Sequence, residues 1–109
     1  MPSPDSYNEL YVLDGGNLVL SLHEIIDTDD KKTLHPVPDW VFLIRNKKNN
    51  KNILFDIGLA TVDKYAPLAQ KFHIHCKSQP PSQSISEQLA KLGIAPGKID
   101  KVIFSHAHW

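Results

Sequence analysis

The sequence predicts an α/β chain, and three observations carry that expectation. Two apolar runs, Trp40-Val41-Phe42-Leu43-Ile44 and Ile53-Leu54-Phe55, have the length and lack of alternation of buried strands. Ile85, Leu89 and Leu92 recur at i, i+4 and i+7, the spacing of one helix face. A further apolar run, Val102-Ile103-Phe104, follows that helix, so a helix-then-strand unit occupies the last part of the sequence.

Taken in order, Leu10 to Leu13 and Leu18 to Leu22 flank Asp14-Gly15-Gly16-Asn17, a turn composition, and are expected to form a hairpin. Residues 27–38 combine a charged, aperiodic stretch with Pro36 and Pro38 and are expected to be a loop. The run from Trp40 to Ile44 is expected to be a strand covered on both faces, and Lys47-Lys48-Asn49-Asn50-Lys51 turns the chain toward Ile53-Leu54-Phe55. That strand ends in Asp56-Ile57-Gly58, where glycine permits a sharp exit. Residues 61–77 give no clear assignment. Ser84-Ile85-Ser86-Glu87 has capping-box spacing, and Gly93 with Pro96 stops the helix that it starts. No internal repeat or second domain is visible, so residues 1–109 are expected to belong to one domain.

Composition removes several classes of function. Twelve basic and twelve acidic side chains give a net charge of +0, so no electrostatic footprint for nucleic acid or an anionic membrane exists. No apolar run approaches the roughly 18 residues of a membrane span, and residues 1–5 show no signal-peptide pattern. The single cysteine, Cys76, cannot form an internal disulfide, which suits a reducing, cytoplasmic setting.

The chemistry-bearing residues gather where the last strand ends. His106 and His108, separated by one spacer, bring two imidazoles to one point, and imidazole is the commonest metal ligand. A catalytic zinc is usually held by three protein ligands and a water, so these two are expected to be the opening of a site. A second His-x-His, His73-Ile74-His75 before Cys76, shows how short the pattern is. For that copy a solvated strand edge or loop is expected. Trp40 is expected to be a packing residue and the Lys47 to Lys51 turn a solvated one. An aspartate before glycine at a strand end, such as Asp56, is commonly a turn residue bonded to its own backbone.

Asn52-Ile53-Leu54-Phe55-Asp56-Ile57-Gly58 resembles the apolar strand ending in Asp-x-Gly of the metallo-β-lactamase-fold hydrolases, and Lys101-Val102-Ile103-Phe104-Ser105-His106-Ala107-His108 resembles their strand leading into His-x-His-x-Asp-His. Leu10-Tyr11-Val12-Leu13-Asp14-Gly15-Gly16 and Pro36-Val37-Pro38-Asp39-Trp40 are most similar to the lactonase-like branch, which includes acyl-homoserine-lactone lactonases. The resemblance implies the first half of an αββα sandwich, cut within the metal-ligand motif. It implies His106 and His108 as ligands of the first of two zinc ions, and Asp56 as an outer carboxylate that steadies the ligand loop. It implies hydrolysis of a small lactone or other ester by a hydroxide generated on the metal. The remaining ligands of the family have no counterpart in this sequence, so the chain alone is expected to be inactive. The alternatives are a truncated, non-catalytic binding or regulatory module that self-associates through its exposed sheet, and an incomplete gene product.

Overall fold

The computed structural model describes residues 7–106. One mixed four-stranded sheet organises them, in the order β1-β2-β3-β4: β1 Asn8–Ser21, β2 Leu34–Asn46, β3 Lys51–Phe55 and β4 Lys101–Ile103. β1 and β2 are antiparallel over almost their whole lengths, β2 and β3 are antiparallel, and β4 joins β3 in parallel. Among the described residues three α-helices accompany the sheet, α1 Leu22–Ile25, α2 Pro67–His75 and α3 Ile85–Lys91, with short 3-10 turns at Val62–Lys64 and Pro96–Lys98.

α3 starts as its sequence dictates. Ser84 accepts a hydrogen bond from the Glu87 backbone N–H at 3.1 Å, and Gly93, at φ +77°, ends the helical segment. Its apolar face lies on the sheet, where Leu89 and Ile94 join Leu13, Val41, Leu43 and Leu54 in the core. The alternation of β2 decides the rest. Val41 and Leu43 are fully buried under α3, whereas Phe42 and Ile44 on the opposite face are half-buried and Trp40 is 49% exposed. The expectation that this strand is covered on both faces is therefore corrected: the described residues cover one face. They supply one sheet with helices, and a second sheet is not among them.

Two further expectations fail for physical reasons. Asp14-Gly15-Gly16-Asn17 makes no hairpin; β1 runs straight through it with a bulge between Asp14 and Asn17. A turn and a bulge call on the same glycine freedom, and here a β2 long enough to pair on both sides of the bulge keeps β1 whole. His35 to Pro38 lie within β2 and pair with β1 from Asn17 to Leu20. The prolines are tolerated because β3 pairs only with Phe42 to Asn46, leaving this end of β2 at the sheet edge.

Candidate metal-ligand loop and its surroundings

The site begins where two parallel strands end side by side. Leu54 pairs with Val102 and Phe55 with Ile103, and the Asp56 N–H donates to the Ile103 carbonyl at 2.8 Å, extending the ladder by one residue. The other end of the same strand pair is clamped as well. The Asn52 N–H donates to an Asp100 carboxylate oxygen at 2.8 Å, and the Asp100 N–H returns a bond of the same length to the Asn52 carbonyl. The chain leaving β4 is thereby fixed relative to the chain leaving β3.

Asp56 turns the chain with φ +65°, a left-handed conformation that aspartate tolerates better than most residues. Its carboxylate does not close on its own backbone. Oδ1 accepts from the Ser105 N–H at 2.9 Å and from the Ser105 hydroxyl at 3.1 Å. The same hydroxyl lies 2.8 Å from Nδ1 of His106. Asp56, Ser105 and His106 thus form one chain of hydrogen bonds across the two strand ends. His106 is exposed, and His108 lies outside the described residues.

Two glycines allow the Asp56 loop to lie where it does. A Cβ on Gly15 would meet the Asp39 carbonyl oxygen at 2.6 Å and Gly58 Cα at 3.1 Å, and a Cβ on Gly58 would meet Gly15 Cα at 3.0 Å. Backbone rests on backbone, and the Leu59 N–H donates to the Gly15 carbonyl at 2.7 Å. The Gly-Gly bulge of β1 and the Asp-x-Gly exit of β3, separate motifs in the sequence, are two sides of one contact.

A cavity of about 180 Å³ opens beside this contact, lined by Asp39, Asp56, Ile57, Gly58, Leu59, Tyr65, His73, Phe104 and His106. Tyr65 and His73 are members that the sequence did not reveal. The Tyr65 hydroxyl accepts from the Ala60 N–H at 2.9 Å, which ties it to the loop leaving Gly58. Its ring stacks on His73 with centroids 3.8 Å apart and 20° between planes. His73 is no solvated loop residue: it lies in α2, buried, with Nδ1 3.1 Å from the Ser78 hydroxyl. The signal was a stripe of Ala69, His73 and Cys76 at i, i+4 and i+7, all buried, while Leu68 and Ile74 face outward. Counting apolar residues missed it because the inward face of α2 is small or polar and the outward face greasy. His75 points elsewhere, to Glu24 at 3.0 Å. His73 therefore sits in a helix beside the cavity, whereas His106 follows the exit of β4.

Among the described residues no group of three histidine, cysteine or acidic side chains is gathered as a metal would need. Burial pushes the Cys76 thiol above its ordinary pKa, so it is held as a neutral thiol and not as a ligating thiolate.

No protein-family model and no curated protein matches the chain. Solved structures do. A probable metal-dependent hydrolase from Staphylococcus aureus superimposes on 94% of this chain with a TM-score of 0.63 at 20% identity. The chain spans 39% of the length of that protein. At this identity the likeness concerns the backbone alone: the chain has a mixed α/β fold similar to part of that protein.

Proposed function

We propose that this chain carries the opening metal-ligating segment of a metal-dependent hydrolase acting on lactones or other esters, with His106 and His108 as ligands of a divalent cation, zinc in the first instance. The observation that supports it most is the hydrogen-bonded chain from Asp56 through Ser105 to His106, at the ends of paired strands in a hydrolase-like fold. Outer carboxylates steady metal-binding histidines in this manner, directly or through an intermediary. The donor set fits: imidazole suits zinc and its neighbours among the divalent metals, and the Asp56 oxygen nearest the loop is engaged by Ser105. When bound, a divalent cation supplies Lewis acidity and lowers the pKa of coordinated water toward about 7.

The chain's own residues orient and enclose. Asp56 holds Ser105, Ser105 holds the His106 ring, and Ile57, Leu59 and Phe104 give the cavity an apolar wall for the carbon skeleton of an ester. At about 180 Å³ the cavity is smaller than the roughly 300 Å³ at which ligand pockets begin, so these residues form one side of a substrate pocket. A two-metal centre needs more ligands than His106 and His108, and the chain alone is therefore expected to hydrolyse a lactone no faster than zinc does. The test of the reading is calorimetric titration of Zn²⁺ into the chain and into His106→Ala and His108→Ala. Binding that weakens in both variants supports it, and equal binding in all three refutes it.

The uncovered sheet face favours a second reading, an association module. Leu10 and Val12 are 65% and 57% exposed, and Trp40 joins them on the same face. Contiguous apolar surface of this kind favours association, here with a second copy of the chain. Sedimentation across a concentration series tests it: a monomer at all concentrations rules it out.

A further inference from the structure

The end of β3 away from Asp56 holds a second cavity, of about 490 Å³, beside the turn that joins β2 to β3. Its volume falls inside the range of roughly 300–1,000 Å³ typical of ligand pockets, and its wall is polar: Arg45, Asn49, Asn50, Asn52 and Lys98 all line it. A Cβ on Gly93 or Gly97 would meet nothing within 4 Å, so both leave bare backbone at the wall. The lining carries three basic side chains against one acidic. Asp100 is paired with Lys51 at 3.7 Å, which leaves the Arg45 guanidinium and the Lys98 ammonium as the uncompensated charges. Glu9, opposite Arg45 on β1, is bonded instead to Lys47 at 3.1 Å and to the Tyr11 hydroxyl. Among the described residues neither Arg45 nor Lys98 has a side-chain hydrogen bond or an ion pair.

Beside Arg45 sits an acceptor without a donor. Asn52 is the direct cross-strand neighbour of Arg45, on the same face of the sheet. It is 6% exposed, and its Nδ2 donates to the Lys98 carbonyl at 3.2 Å, which fixes the orientation of the amide and leaves Oδ1 with no partner. A buried acceptor left unpaired is costly, and almost none of the surface of this one is open to water. The neighbouring side chains that can move to uncover it, Arg45 and Lys98, are long and not tied down. A partner for Oδ1 must bring a hydrogen-bond donor, and a partner for Arg45 and Lys98 must be an anion.

We propose that this cavity binds a small hydroxylated organic anion, of the kind a sugar acid or a sugar phosphate presents, with the anionic end against Arg45 and Lys98 and one hydroxyl donating to Asn52 Oδ1. The Asn49 and Asn50 amides on the wall serve further hydroxyls. An anion without a hydroxyl leaves Oδ1 unpaired, and a neutral sugar leaves both cations unpaired, so affinity requires the two features in one molecule. Asn52 is four residues, about 13 Å, from Asp56, so the ligand stays clear of the His106 loop and its binding needs no metal.

The experiment is an NMR titration of the ¹⁵N-labelled chain, in about 0.15 M salt, with D-gluconate, glucose phosphate, acetate and glucose. The expected result is saturable movement of the Asn52 side-chain amide by gluconate or glucose phosphate with a Kd below about 10 mM, and none by acetate or glucose at that concentration. The tighter of the two hydroxylated anions names the anionic end. Arg45→Gln and Lys98→Gln should each weaken that binding about 10- to 100-fold, the loss of one charge-assisted bond. Lys101→Gln, which removes the same charge from the opposite face of the sheet, should leave it unchanged. No saturation by either hydroxylated anion overturns the proposal, as does equal binding of acetate or glucose. A loss in Lys101→Gln as large as in Arg45→Gln overturns it too, because the interaction would then follow net charge alone. Should Arg45→Gln fail to fold, Lys98→Gln and the four ligands decide.

Discussion

Replacing Gly58 by alanine separates two costs that are usually entangled, because the chain supplies its own control. Gly58 and Gly93 share φ +77°, a left-handed conformation in which a Cβ costs about 1–2 kcal/mol. Around Gly93 a Cβ would meet nothing within 4 Å, whereas at Gly58 it would meet Gly15 Cα at 3.0 Å and the Gly15 carbonyl oxygen at 3.1 Å. Gly15 cannot retreat freely, since it is itself close under the Asp39 carbonyl. Crowding of that kind costs about a further 1–3 kcal/mol. Gly93→Ala should therefore lose about 1–2 kcal/mol and Gly58→Ala about 2–5 kcal/mol. The unfolded-state gain of a glycine-to-alanine change is common to both and drops out of the difference. Urea unfolding followed by circular dichroism, with the slopes compared, measures each loss. Equal losses would refute the claim that the β1 bulge and the Asp56 loop press on one another.

Two other outcomes follow from titratable groups. The Ser21 backbone N–H, and after it His75, hold the Glu24 carboxyl below its ordinary value of 4.5. A depressed carboxyl contributes stability that is present above 4.5 and is lost as pH falls through the folded-state value. Urea midpoints should thus fall less steeply below pH 4.5 for Glu24→Gln than for the wild type, and parallel curves would contradict it. Cys76 is fully buried with its thiol pKa raised, so Ellman's reagent should react only as fast as the chain opens, with a rate that rises with urea. Reaction of the native chain at the rate of a free thiol would show that α2 does not cover it.

What could be read from the sequence was what a single segment decides. The α3 helix carries its own periodicity, cap and stop, so Ser84, Leu89 and Gly93 suffice to locate it. The β3 and β4 runs are apolar enough to be recognised alone. What escaped depends on partners far along the chain. Gly15-Gly16 reads as a turn until β2 lies beside it from Leu34 onward. Pro36 and Pro38 exclude a central strand and not an edge one. His73 enters the cavity wall because α2 turns a polar stripe inward, against the trend of hydrophobicity. Asp56 and the histidine motif were legible as separate signals, and Ser105, the residue that joins them, carried no signal of its own.

The parallel pairing of β3 with β4 has a kinetic consequence. Val102 reaches Leu54 only after roughly 50 intervening residues have been looped back, and closing a loop of that size costs about 3 kcal/mol of chain entropy. β4 is three residues long and exposed along its length, so few contacts offset that cost until Asp100 has engaged Asn52 and Asp56 has engaged Ser105. The β1–β2–β3 meander, made of sequence neighbours, closes first, and His106 acquires its surroundings in the last step. Local opening runs the same path backwards. The strand that leads to His106 is the one that leaves the sheet most readily, and hydrogen exchange at Val102 and Ile103 should outpace that at Leu43 and Leu54.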